Sequence, residues 1–151
     1  RPALPELVAW VRDRFEAEIY EDAFSPFCLI ARDNDECDAI QSQAEEFLTD
    51  WPTLDFVRND IYARLSHTAY NKGSALEEVE RLTGIGPKQT LAAGDHLNDL
   101  PMLNPKYARW LVTQHNAIRQ VKEHVQNHRG FVSEHPSGNG LLDGIEWAMD
   151  M

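Results

Sequence analysis

Residues 91–103 read LAAGDHLNDLPML. A short apolar run stops at Gly94. Asp95, Asn98 and Asp99 then follow within five residues before the chain turns apolar again. The run predicts a buried strand over 90–93, and a glycine lets the backbone turn sharply at its end. In open α/β sheets, ligands sit at the carboxyl ends of strands, and Asp95 falls just past such an end. Asp95 and Asp99 are hard oxygen ligands of the kind Mg²⁺ prefers, usually as one or two carboxylates plus a substrate phosphate. The competing explanation is an Asp-rich turn that caps a helix after Pro101. A calcium loop is disfavoured, because its D-x-[DN]-x-[DN]-G spacing is missing.

Upstream, Lys72 stands in Asn71-Lys72-Gly73-Ser74, directly before a helix start. A lysine there sets its ammonium beside the positive end of a helix dipole, where anions gather. Ser74 and Glu77 fit a capping box with Ser74 as N-cap. The helix is expected to run to about Leu82 and to stop at Gly84. Downstream, strands are expected over 109–113 and 131–133. Asn116 is expected to cap a helix carrying Ile118, Val121 and Val125, and a last helix spans 141–149. Strand and helix alternate, which predicts a parallel sheet with crossover helices.

Before residue 67 the rhythm differs. Helical spacing covers 4–19, with Leu7, Val8, Val11, Phe15 and Ile19 on one face. A strand is expected over 26–31, a helix over 35–48, and a hairpin from 54–57 and 61–65 with Arg58-Asn59-Asp60 between. This α-β-α-β-β order describes a small α+β layer, with a boundary near residues 67–71.

The chain has 151 residues, 42% of them hydrophobic, so it can bury a real core. With 14 Lys+Arg against 25 Asp+Glu its net charge is −11, which argues against binding nucleic acid or an anionic membrane surface. No apolar run approaches the roughly 18 residues that span a bilayer. Cys28 and Cys37 are too few for a disulfide framework, so a reduced cytoplasmic setting is expected.

Lys72 in NKGSAL (71–76), followed by a strand and GDHLNDLPML (94–103), resembles the haloacid dehalogenase-like (HAD-like) phosphatases. The similarity is to the branch with a large α+β cap, which includes sucrose-phosphatase-like and Cof-like hydrolases. It covers residues 67–146 well, and the first 66 in outline. His115-Asn116-Ala117 stands where the family often has Gly-Asn-Ala. The resemblance implies an α/β fold: residues 1–66 as the cap, and residues 67–151 as the C-terminal half of a Rossmannoid core. It implies metal-binding roles for Asp95 and Asp99, with Mg²⁺ as cofactor. Asn98 resembles the residue that orients phosphate or the lysine, and Asn116 joins it in phosphate or substrate binding. Lys72 resembles the lysine that neutralises the nucleophile and the transferring phosphoryl group. The implied reaction is Mg²⁺-dependent hydrolysis of a small phosphorylated metabolite, such as a sugar phosphate. Phosphoryl transfer is mostly positioning plus charge neutralisation, which a lysine and Mg²⁺ supply.

Family chemistry also needs a nucleophilic aspartate in a D-x-D-G-T-type motif, which passes through a phosphoaspartate. The nearest stretch is Asp33-Asn34-Asp35, but Glu36-Cys37 stands where Gly-Thr belongs, and a helix follows at once. Helix capping by Asp33 or Asp35 is the expected explanation. The chain also opens on Arg1 rather than methionine. The expectation is therefore a phosphatase fragment lacking its nucleophile, inactive alone. Its uncovered sheet edge would pair with a missing N-terminal half or a second copy. The alternatives are a non-catalytic HAD-like chain that binds or completes a partner, and a phosphomutase. His124 and His128 have zinc-compatible spacing but lack the H-E-x-x-H pattern, so a solvated face is expected for them.

Overall fold

The computed structural model describes residues 3–151; Arg1 and Pro2 lie outside the described residues. The chain divides into two compact units, 1–70 and 71–151.

The first unit begins with α1 (Ala3–Arg14), which buries Leu7 and Val11 one turn apart. The expected helix over 4–19 ends early, and Glu18–Tyr20 forms an edge strand, β1, antiparallel to β2 (Cys28–Ile30). The cause lies in the buried side chain of Glu36. Its Oε1 accepts the Glu16 N–H at 3.1 Å and its Oε2 accepts the Arg32 N–H at 2.6 Å. The Glu16 amide is thereby satisfied outside a helical ladder. Helix α2 (Asn34–Leu48) follows, burying Cys37, Ile40 and Ala44 along one face. Strands β3 (Leu54–Asn59) and β4 (Tyr62–His67) form the expected hairpin, but its turn is Asp60-Ile61 rather than Arg58-Asn59-Asp60, because Arg58 and Asn59 stay in the ladder opposite Ala63 and Tyr62. Asp60 takes φ 57°, a left-handed conformation that aspartate tolerates.

The sheet order is β1-β2-β4-β3, antiparallel throughout. Residues from α1 and α2 join Phe27, Leu29, Phe56, Ala63 and Leu65 in one apolar cluster. This is the α+β layer. Both cysteines are free and buried within it.

The second unit opens with α3 (Lys72–Thr83), which stops at Gly84 in the left-handed conformation, φ 73°. Three short parallel strands follow: β5 (Leu91–Ala93), β6 (Trp110–Thr113) and β7 (Phe131–Val132), in the order β5-β6-β7. Helix α4 (Arg119–Asn127) lies between β6 and β7 in sequence, and α5 (Ser137–Met149) closes the chain. Val121 and Val125 of α4 pack with Ala92, Leu103, Ala108 and Leu111. Helix α5 approaches β6 so closely that a Cβ at Gly144 would lie 2.2 Å from a Val112 methyl. Parallel strands crossed by helices are the α/β arrangement expected. Among the described residues, no helix is long and apolar enough to cross a membrane.

Candidate phosphate and metal site

The carboxyl end of β5 is shaped by what Asp99 does. Asp99 lies in a three-residue 3-10 turn, Leu97–Asp99, and is 4% exposed. Its Oδ2 accepts the Asp95 N–H at 2.8 Å and the His96 N–H at 3.1 Å. Gly94 makes this possible, since a Cβ there would lie 2.3 Å from the Asp99 Cβ. The turn is tied to the sheet as well. Thr113 Oγ1 donates to the Gly94 carbonyl at 2.7 Å, and the Ile118 N–H donates to the Asp95 carbonyl at 3.1 Å.

Asp99 also receives Lys72. The ammonium forms a hydrogen-bonded ion pair with Oδ1. Two features bring the lysine there. Asn71 caps α3, its Oδ1 accepting the amides of Gly73 at 2.9 Å and Ser74 at 3.0 Å. Gly73 lets the first turn press on the Pro101 backbone, where a Cβ would lie 2.6 Å from the Pro101 carbonyl oxygen. Ser74 is therefore not the N-cap expected. It stands three residues on, and its Oγ accepts the Asn71 N–H at 2.9 Å. Asn71 wins because its shorter register lets one carboxamide oxygen take two of the orphan helix amides.

Burial would push the Asp99 carboxyl up. The Lys72 ammonium and the amides of His96 and Asp95 outweigh that, and hold it below the ordinary carboxylate value. Asp99 is thus a fixed anion that organises the turn and aims the lysine.

Asp95 differs. Its backbone is held at both ends, but its side chain is exposed and no hydrogen bond or ion pair engages its carboxylate among the described residues. Asn98 is half-buried on the same turn, and its amide is likewise unengaged among those residues. Asn116 lies on the β6–α4 loop, two residues before the amide that holds Asp95. It does not cap α4, whose N-cap is Ile118 without a side-chain bond. Its Oδ1 instead accepts the Ser137 N–H at 2.8 Å, at the start of α5.

The donor set suits a hard divalent cation: the open carboxylate of Asp95, and an Asp99 Oδ1 with one lone pair beyond its bond to Lys72.

The structure thus brings Lys72, Asp95 and Asp99 together, with Asn98 on the same turn and Asn116 on the adjoining loop. Thr113 escaped sequence reasoning; its place at the end of an apolar run was the available signal. The Asp33 stretch is a cap: Asp33 Oδ1 accepts the Glu36 N–H at 2.8 Å. One ring nitrogen of each of His124 and His128 is engaged: Nε2 and Nδ1 lie 2.6 and 2.9 Å from the carbonyl oxygens of Leu103 and His124 respectively.

A family model described as haloacid dehalogenase-like hydrolase matches residues 11–145. Among solved structures, the chain resembles SMU.1108c from Streptococcus mutans UA159 at TM-score 0.69 and 17% identity, over 100% of this chain and 68% of that one. It resembles the sucrose-phosphatase of Synechocystis sp. PCC6803, solved with sucrose and phosphate, at TM-score 0.67 and 17% identity, over 94% and 61%. It resembles the HAD subclass IIB sugar phosphatase BT4131 at TM-score 0.56 and 24% identity, over 82% and 41%. The chain therefore spans 61% of the sucrose-phosphatase and 41% of BT4131. These likenesses establish the fold, a HAD-like Rossmann-type core with a small cap.

Proposed function

This chain belongs to the haloacid dehalogenase-like hydrolases, and on that premise we propose that it carries the cation- and phosphate-binding half of a Mg²⁺-dependent phosphomonoesterase. The substrate is a small phosphorylated metabolite, in the class of the sugar phosphates. Two neighbours are themselves called sucrose-phosphatase and sugar phosphatase, which supports that class.

The observation that carries the proposal is the Lys72–Asp99 ion pair set beside the open carboxylate of Asp95. Each chain group has a role. Asp99 anchors the turn, fixes the lysine and lends its remaining lone pair to the cation. Asp95 supplies the principal carboxylate to that cation. When bound, Mg²⁺ neutralises charge on the phosphoryl oxygens. Lys72, half-exposed, keeps donors free for a phosphoryl oxygen, and Asn98 and Asn116 orient the group by their amide N–H donors.

The nucleophilic aspartate that accepts the phosphoryl group is assigned to a segment outside this chain, as the greater length of the relatives allows. Among the described residues β5 pairs only with β6, and its other edge is where the rest of that sheet would add. Residues 1–66 are assigned to the cap and 67–151 to the core half. Two free buried cysteines support a reducing compartment such as the cytoplasm.

The test is hydrolysis of p-nitrophenyl phosphate by the intact protein with and without Mg²⁺. Mg²⁺-dependent turnover that disappears in Asp95→Asn is expected. Turnover indifferent to both the metal and that substitution would sink the proposal.

A further inference from the structure

Past β7 the chain reads Ser133-Glu134-His135-Pro136, a loop that leads into α5 at Ser137 and that phosphoryl transfer does not call on. It nevertheless holds a built cluster. Ser133 is buried, and its Oγ donates to Asp143 Oδ2 on α5. The same oxygen of Asp143 lies 2.8 Å from His135 Nδ1, and the His135 N–H donates to Ser133 Oγ at 2.9 Å. With a carboxylate as partner, Nδ1 carries the proton. The ring is exposed and its Nε2 has no partner among the described residues. The serine faces the aspartate rather than Nε2, so the three residues do not form a nucleophilic relay.

The loop is bolted to the site rim. The His115 N–H donates to the His135 carbonyl at 3.0 Å, and Asn116 takes the Ser137 amide. The first turn of α5 clamps the other side, where a Cβ at Gly140 would lie 2.3 Å from the His135 carbonyl oxygen. The 114–118 segment in turn holds the Asp95 carbonyl. Ala93 pairs with Val112, and Val112 with Phe131, so the ends of β5 and β7 stand two strand spacings apart, about 10 Å. Lys122 adds a second cation to this rim, its ammonium 3.0 Å from the His115 carbonyl oxygen. His135 Nε2 and the Lys122 ammonium give this rim two N–H donors for an anion, beside the carboxylates of Asp143 and Glu134.

We propose that His135, fixed by Asp143, recognises a carboxylate on the substrate at the end remote from the phosphoryl group. This substrate assignment, an acidic sugar phosphate or a molecule of like length, rests on the phosphomonoesterase proposal above. The charged groups that bear on the ring are Asp143 of α5 and Glu134 of its own loop. The hydrogen bond and charge of Asp143 raise the imidazole above its ordinary value, outweighing a small opposing effect of desolvation. His135 is therefore charged below that raised value and neutral above it.

The test compares 6-phosphogluconate with sorbitol 6-phosphate, which differ in a carboxylate against a hydroxymethyl group, by calorimetry with Mg²⁺ present. At pH 6 the first is expected to bind about three- to fivefold more tightly. The ratio of the two affinities cancels the titration of the shared phosphate. It should fall toward one as pH rises, fall at lower pH in Asp143→Asn, and stay near one in His135→Gln. In the unsubstituted protein, the His135 Nε2 resonance should move with 6-phosphogluconate and not with sorbitol 6-phosphate. Equal affinities at every pH, or a still Nε2 resonance, overturn the carboxylate assignment and leave the phosphate site standing. If neither compound nor inorganic phosphate binds, the phosphomonoesterase proposal falls and this one with it.

Discussion

After β2 the chain reads Ala31-Arg32-Asp33-Asn34-Asp35-Glu36; after β5 it reads Gly94-Asp95-His96-Leu97-Asn98-Asp99. Both are acid-rich turns at strand ends, and each contains one buried carboxylate that accepts two backbone amides. Glu36 serves Glu16 and Arg32; Asp99 serves Asp95 and His96. They part in what remains. In the first turn a long helix follows at once. Asp33 is spent on capping it and on Arg32, and Asp35 sits in its first turn, where the dipole favours an acid. In the second turn only a short 3-10 turn follows. The buried acid is met by a lysine from another helix, and Asp95 is left open. Counting carboxylates does not separate the two turns. The lysine that meets the buried acid of the second does.

The largest effect that separates the two turns is on turnover. In the intact enzyme, Asp95→Asn should lower Mg²⁺-dependent hydrolysis by about 10²–10³-fold, the scale of losing one preorganised charge contact. Asp33→Asn should leave the rate unchanged. Equal losses in initial-rate assays would erase the distinction.

The shared feature comes next. Glu36→Ala and Asp99→Ala each strand two amides, and the second also strands a lysine. Each should cost about 2–4 kcal/mol in urea unfolding. A loss in one and not the other would break the parallel.

A pH experiment isolates the lysine. The folded-state value of Asp99 is depressed below 3.8. Its stabilising contribution is therefore full above the unfolded value and is lost as pH falls through the folded one. Lys72→Ala removes a depressing cause, so acid unfolding followed by circular dichroism should begin at higher pH. An unmoved transition would show that the amides alone hold the anion. The smallest effect is expected at the α3 cap: Asn71→Ala should cost about 1 kcal/mol in thermal unfolding, and Ser74→Ala less.

Much of this was legible in the sequence. The β5 run, Gly94 and the acidic pattern placed the turn, and NKGSAL placed the lysine before a helix. Their meeting was not a local property. It depends on Gly94 admitting Asp99 within the turn and on Gly73 pressing against Pro101, and the second is a contact between distant segments. The early end of α1 was hidden for the same reason. Val11, Phe15 and Ile19 keep a helical spacing, while the amide that leaves the ladder is claimed by Glu36, far along the chain. Asn71 and Ser74 are both good caps, and spacing alone did not rank them. His135 was invisible because its aspartate lies eight residues on, across a helix start.

The most direct test adds Mn²⁺, with inorganic phosphate, to the isotopically labelled chain and maps paramagnetic broadening of its amide resonances. The account predicts selective broadening of residues 94–99, weakened in Asp95→Asn, with residues 32–37 unaffected. Broadening centred on residues 32–37, or none at 94–99, would contradict it.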